Sequence, residues 1–240
     1  MAVAARRLPT LACLVLLWLG CATTAATGLR TSPSWLTLGA GQKSAELSIS
    51  NTGDQPLHAQ VRLYRWTQHE GQEKLTPTRD MAVSPPIMEI APRQRQVVRL
   101  IRLGDDATPQ EGSYRILIDQ LPRPGVTGQQ TVLRYSAPVF VAPAAPGAPR
   151  LSASLSREDR RTLLRVDNHG STHARLADLG YRDADGRRVA VADRLAGYVL
   201  PGQYKTWALP ERPGGYADGE FVAKVNQDRT ERPLPAAQAR

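Results

Sequence analysis

The chain has four histidines, His58, His69, His169 and His173, the side chains best suited to proton transfer or metal binding near neutral pH. None has cysteine company. His169 and His173 are four apart, a spacing that would place two ligands on one face of a helix, but Asn168-His169-Gly170-Ser171-Thr172-His173 reads as a turn between strands. A solvated turn is therefore the expectation, with a metal pair as its rival. No Gly-rich phosphate loop runs into Lys-Ser/Thr, and no Gly-x-Ser-x-Gly elbow occurs. The acids Asp105, Asp106, Glu111, Asp183 and Asp185 sit in turn-like contexts that explain them without catalysis. The expectation is a protein that is not an enzyme, needs no cofactor and uses no nucleotide.

With no chemical constellation to position, the elements themselves carry the reading. Thr131-Val132-Leu133-Arg134-Tyr135-Ser136-Ala137-Pro138-Val139-Phe140-Val141 is rich in β-branched and aromatic residues, and Pro138 cannot donate to a ladder. It reads as a strand at a sheet edge, which is a template for pairing. Its odd-numbered face, Thr131, Leu133, Tyr135, Ala137 and Val139, is the more apolar one.

The first residues look like an address label. Arg6 and Arg7 precede an apolar run from Leu8 to Leu19, too short to span a membrane, and Thr24-Ala25-Ala26 offers small residues for cleavage. A signal peptide over 1–26 is expected, with a mature start at Thr27. Leu19-Gly20-Cys21 also resembles the end of a lipobox, so lipidation of Cys21 is the rival reading, although Trp18 is bulky for that motif. Both cysteines, Cys13 and Cys21, fall inside this segment, and the mature chain must be stabilised by packing alone. Loss of Arg6 and Arg7 lowers the formal charge from +9 to +7. The basic residues are scattered singly, without interleaved aromatics, which argues against nucleic-acid binding.

From Leu29 onward short alternating segments are separated by turn signals. Trp35-Leu36-Thr37-Leu38, Ala45 to Ser50, His58 to Trp66, Gln96 to Leu103 and Ser113 to Asp119 precede the edge stretch. With 19 prolines and 19 glycines and a 41% hydrophobic fraction, the chain has a core but little room for long helices. Ser84-Pro85-Pro86-Ile87 is a rigid segment compatible with a cis bond. The pattern predicts an all-β sandwich over 27–142. Val141 to Pro149, with three prolines among small residues, marks the boundary, and 143–149 is the expected stiff linker. A second set of strands follows over 150–230: Ala153 to Leu155, Thr162 to Val166, Ala174 to Leu179, Val189 to Val191, Lys205 to Leu209 and Glu220 to Val225. The polar Pro/Ala-rich tail, 231–240, is expected to fray.

These segments together resemble the PapD-like periplasmic chaperones of chaperone–usher pilus assembly. Ser50-Asn51 with Gly53, Ser84-Pro85-Pro86-Ile87, Pro92 leading to Val98-Arg99-Leu100, Glu111-Gly112-Ser113-Tyr114-Arg115 and Leu121-Pro122 follow the family's order. So do Asn168-His169-Gly170 and Gly197-Tyr198-Val199-Leu200-Pro201-Gly202 in the second half. Arg134-Tyr135-Ser136-x-Pro138-Val139-Phe140 is most similar to the archaic branch. The resemblance implies two immunoglobulin-like β-sandwich domains joined at an angle, as a boomerang. It also implies a periplasmic location, pilin or fimbrial subunits and an outer-membrane usher as partners, no nucleotide, and donor-strand complementation as the mechanism. In that mechanism the chaperone lends its edge strand to a subunit that lacks one.

On that view the row Thr131, Leu133, Tyr135, Ala137 and Val139 contacts the subunit's groove, with packing into the chaperone's own core as the competing reading. Family members clamp the subunit's C-terminal carboxylate with an Arg and a Lys, at positions occupied here by Trp35 and Pro138. The replacement anchors implied are Arg115 and Arg134, then Arg99 and Arg30. An exported structural or adhesive sandwich protein of a surface fibre is the alternative function. An exported hydrolase or metal enzyme is the other, and would need a polar constellation that the sequence does not supply.

Overall fold

A computed structural model describes residues 28–104, 108–125 and 128–237. The expected leader over 1–26 with Cys13 and Cys21, and the turn acids Asp105 and Asp106, lie outside the described residues. Strands are the only regular structure among those described, as the alternating pattern predicts. The first sandwich contains β1 (Leu29–Ser32), β2 (Leu36–Leu38), β3 (Ser44–Asn51), β4 (Leu57–His69), β5 (Gln72–Pro77), β6 (Met81–Ser84), β7 (Ile87–Ile90), β8 (Arg95–Arg102), β9 (Gly112–Gln120) and β10 (Arg134–Val141). One sheet has the order β1-β3-β8-β6 and the other β2-β10-β9-β4-β5, with β7 also on β4. Leu47, Ile49, Val98 and Leu100 from the first sheet meet Ala59, Val61, Ile116 and Ile118 from the second in one buried core. The Ser84–Pro85 bond is cis, as is Ser32–Pro33.

The second sandwich comprises β11 (Leu151–Glu158), β12 (Arg161–Asn168), β13 (Ala174–Asp183), β14 (Arg188–Val199), β15 (Tyr204–Ala208), β16 (Gly219–Val225) and β17 (Arg232–Pro233). Its sheets have the orders β11-β12-β15 and β14-β13-β16-β17, closed over Leu164, Val166, Leu176, Leu179 and Tyr181. The expectation of a frayed tail over 231–240 is corrected for residues 231–237. Leu234 inserts into the core and is 5% exposed. Ala153 donates to Pro235 O at 2.7 Å and accepts from Ala237 N at 2.8 Å, so the segment covers the edge of β11.

Each sandwich turns a corner on a buried asparagine. Asn51 Nδ2 donates to the carbonyls of Gln55 at 2.7 Å and Ile90 at 2.9 Å, while its Oδ1 accepts from Gly53 N at 3.0 Å. Asn168 repeats this arrangement, donating to Thr172 O at 2.8 Å and Val199 O at 3.0 Å and accepting from Gly170 N at 2.9 Å and Arg150 N at 3.1 Å. Asn-x-Gly recurs because an amide both donates and accepts, and can satisfy backbone groups on strands that cannot pair with each other. Removing such an amide strands buried backbone groups, at about 1–3 kcal/mol each. Asn168→Ala should therefore lower unfolding free energy in a denaturant titration by about 3 kcal/mol. A loss below about 1 kcal/mol would contradict the role of this corner.

Candidate functional site

The site is the half-open edge of β10 and the crease it runs into. β10 is antiparallel to β9 along its whole length, from Arg134↔Asp119 to Val141↔Gly112. On its other side it pairs only with β2, in parallel, from Val139↔Leu36 to Val141↔Leu38. Arg134 to Pro138 thus has no strand on that side among the described residues.

The direction of the free groups follows from the ladder. Gln120 N donates to Leu133 O at 2.9 Å, so in this antiparallel pair the odd residues of β10 bond to β9 and the even ones point away. Ala142 N donating to Leu38 O at 2.8 Å on the β2 side obeys the same parity. The open edge therefore offers the N–H and C=O of Arg134 and Ser136 and the C=O of Pro138. Pro138 lacks its N–H only where no neighbour within the fold would use it, which is how a proline is tolerated here.

Side chains split along the same alternation. Ala137 and Val139 are fully buried in the core of the first sandwich, and Tyr135 packs against it. Thr131, Val132 and Leu133 lie before the strand begins, with Val132 45% and Leu133 38% exposed. Two sequence expectations change as a result. The strand starts at Arg134 rather than Thr131, because β9 ends at Gln120, which pairs with Leu133 and leaves no β9 residue opposite Thr131 and Val132. Of the five expected contact residues, Ala137 and Val139 are committed to the core of the first sandwich, leaving Thr131, Leu133 and Tyr135 accessible.

The even face of β10 meets the second sandwich. Phe140 stacks on His173 with centroids 3.6 Å apart, and Trp66, Phe140, Tyr198 and Leu200 form a buried cluster from both domains. His173 Nδ1 lies 2.8 Å from Glu111 Oε1, whose side chain is almost fully buried. Gln68 binds the other domain as a backbone would: Nε2 donates to Tyr198 O at 2.6 Å, and Oε1 accepts from Leu200 N at 2.9 Å. These residues set one domain against the other. The sequence marked His173 only as half of a turn pair. In the fold His169 instead contacts Ser152 Oγ at 3.1 Å, so the two imidazoles serve different partners and His173 is an interface residue rather than a solvated one.

The expected anchors separate. Arg115, opposite Pro138, lies in the crease with its guanidinium 3.9 Å from the Trp66 ring centroid, 5.7 Å from that of Tyr198, and 3.3 Å from Glu73 Oε2. Arg134 bonds Asp119 Oδ1, and Arg62 Nη2 holds Oδ2 at 2.5 Å, so one Asp119 carboxylate bridges two arginines across three strands and leaves the cluster with a net positive charge. Arg99 is corrected: it sits on the exposed face of the opposite sheet, 2.9 Å from Glu46 Oε1, and has no access to the crease. Arg30 is an exposed residue of β1 in that same sheet. A cleft of about 710 Å³ opens beside β2, lined by Trp35, Thr37, Phe140, His173, Arg175 and Tyr198 with the Asn226–Asp228 turn. Arg175 was not singled out by the sequence, since nothing local distinguishes it from any strand arginine.

Residues 28–146 match the family described as pili and flagellar-assembly chaperone, PapD N-terminal domain. No curated protein matches the chain by sequence. Among solved structures, a chain of the CsuC–CsuE chaperone–tip adhesion subunit pre-assembly complex, from archaic chaperone–usher Csu pili of Acinetobacter baumannii, is similar at TM-score 0.70 and 20% identity. The match covers 86% of this chain and 96% of that one. A chain of the Salmonella enterica SafA pilin–SafB chaperone complex is similar at TM-score 0.61 and 20% identity, covering 88% and 96%. The E. coli chaperone DraB follows at 0.60 and 18%, covering 87% and 98%. At these identities the likeness establishes the fold, two immunoglobulin-like sandwiches.

Burial raises the Asp119 carboxyl, but hydrogen bonds and charge from Arg134 and Arg62 outweigh it and hold it below the ordinary aspartate value. A depressed folded pKa means the stabilisation is complete above the ordinary aspartate range and is lost as pH falls through the lowered value. Carbon-detected NMR titration should place the Asp119 midpoint below that range, and Asp119→Asn should remove this part of the acid unfolding profile. A midpoint at or above the ordinary value would contradict the three-strand pairing.

Proposed function

We propose, for a chain that belongs through residues 28–146 to the pili and flagellar-assembly chaperone family, that it captures pilus subunits by lending them the open edge of β10. The carrying observation is the half-paired strand, closed by β9 on one side and open from Arg134 to Pro138 on the other. A subunit strand placed there adds main-chain hydrogen bonds to Arg134, Ser136 and Pro138, which is β-strand addition. Leu133 and Tyr135, with Thr131 beyond, supply the side chains that fill a subunit's exposed groove. Arg115, beneath Pro138, is the proposed cation of the first sandwich for the subunit's terminal carboxylate, and Arg134, tied to Asp119, fixes where the edge begins.

Capture of this kind needs no nucleotide. Its site is the periplasm, and delivery to an outer-membrane usher is the step that follows. Two strand sets, each with its own closed core, support the chaperone over a fibre subunit, which would be a single sandwich missing a strand.

Two substitutions test the reading on co-expressed pilin subunits. Ser136→Pro removes an edge N–H that is unpaired in the free protein, so complex recovery should fall at least about tenfold, as expected for losing roughly 1.5 kcal/mol. Leu133→Glu should abolish recovery by placing a charge in the groove. Both free variants should keep the wild-type melting temperature within a few degrees. Unchanged recovery with Ser136→Pro would contradict edge pairing, and collapse of free Leu133→Glu would assign Leu133 to the chaperone's own core.

A further inference from the structure

The end of the open edge that lies away from the second sandwich carries positive charge that the fold does not cancel. Arg134 of β10 and Arg62 of β4 share one carboxylate, Asp119 of β9, and no second acid reaches either among the described residues. The register puts this cluster on the outer face of the sheet, where Gln60, Asp119 and Arg134 form one row and Arg62, Leu117 and Ser136 the next. Two other strand acids on that face are engaged elsewhere: Glu73 lies 3.3 Å from Arg115, and Glu89 3.8 Å from His58.

Arg134 is tied down without being used up. Its Nε donates to Asp119 Oδ1, and neither Nη group meets an acceptor among the described residues. Arg62 takes the other carboxylate oxygen, with Nε at 3.2 Å and Nη2 at 2.5 Å from Oδ2. Both oxygens of the buried acid are thus occupied, while the Arg134 side chain remains 64% exposed. A guanidinium held through Nε keeps donors for a second carboxylate, and the tie reduces the ordering cost of binding one.

This charge stands beside unpaired backbone. Arg134 and Ser136 are the residues whose N–H and C=O both face the open side, so a strand that adds there sets alternate side chains on the outer face, one of them opposite Arg134. Facing pairs in a sheet depend on sign: opposite charges stabilise and like charges destabilise. Main-chain hydrogen bonds are blind to side chains, and Leu133 and Tyr135 favour any apolar surface. The guanidinium adds a selection that neither can make.

We propose that Arg134 is a specificity-determining residue of the edge, selecting strands that carry an acidic side chain, Asp or Glu, on the outer face opposite it and rejecting those with Lys or Arg there. Arg62 acts through Asp119: by claiming half of that carboxylate, it keeps Arg134 electropositive. This rests on the edge-pairing reading above and names the chemistry of the strand that the edge prefers.

The test uses three twelve-residue peptides of alternating Val and Thr, N-acetylated and C-amidated so that no terminal charge remains, with one central Thr replaced by Glu, Gln or Lys. Wild type should bind the Glu peptide about threefold more tightly than the Gln peptide, and the Lys peptide about threefold more weakly, the size expected for a facing charge pair. Arg134→Gln should bring the three affinities together, and Arg134→Lys should retain part of the order. Arg62→Gln should also bring the Glu-to-Gln ratio towards one, because Asp119 then cancels Arg134. Arg99→Gln removes a positive charge from the opposite sheet and should leave the ratio unchanged. Equal binding of the Glu and Gln peptides to wild type overturns the proposal while edge pairing stands, as does a ratio that survives Arg134→Gln or Arg62→Gln in full. A ratio that falls as far with Arg99→Gln also overturns it, since a basic protein would then be attracting acidic peptides at large. If no peptide binds wild type, or if Ser136→Pro leaves the Gln peptide unaffected, the edge-pairing reading fails and the proposal falls with it.

Discussion

Backbone N–H and C=O groups in a sheet must be paired, bound to water, or left for a partner, and the placement of β10 turns that requirement into a function. β9 satisfies one side of the strand throughout, and β2 satisfies the other only from Val139 onward. The unsatisfied stretch is five residues, about 16 Å at strand spacing. It is rigid because the opposite side is fully laddered and because Ala137 and Val139 are locked in the core. An edge fixed in this way presents its groups without the ordering cost that a flexible segment would carry on binding.

Three of the other edges differ in ways that discourage pairing. β5 carries Glu73 and Lys74, β11 is covered by the 235–237 segment, and β14 is bulged around Arg194, which has a positive φ of 55°. His173 and Tyr198 of the second sandwich, together with Trp66 of β4, bury the crease end of β10 at Phe140. Gln68 and the His173–Glu111 contact hold the domains in that relation. The cleft between them is consequently as well defined as the edge, and the two are continuous.

Much of this was legible in the residues. Strand rhythm is local, set by period two and by Gly, Pro, Asn and Asp between segments, and the two Asn-x-Gly corners carry the same pattern in both halves. The start of β10 was not legible, because Thr131 and Val132 have strand propensity but no residue of β9 opposite them, and propensity alone does not make a strand. Nor could alternation tell a face that packs inward from one meant for a groove; the odd row does both, changing at Tyr135. Charge pairing depends on register, so the sequence could offer Arg134 and Arg99 as anchors without showing that Asp119 and Glu46 hold them. Arg175 lies sixty residues from Arg115, and only the packing of one domain on the other brings them to the same ring. Leu234, one apolar residue in a Pro/Ala-rich tail, docks because a core edge needed covering.

The central claim is that Arg134 and Ser136 hold unpaired backbone groups until a subunit strand arrives. Amide hydrogen exchange resolved to single residues measures this directly, on the free protein and on its complex with a pilin subunit. The account predicts that the Arg134 and Ser136 amides exchange rapidly when free and become strongly protected in the complex, while those of Tyr135, Ala137 and Val139, already bonded to β9, are protected in both. Arg134 and Ser136 amides protected in the free protein, or unprotected in the complex, would contradict it.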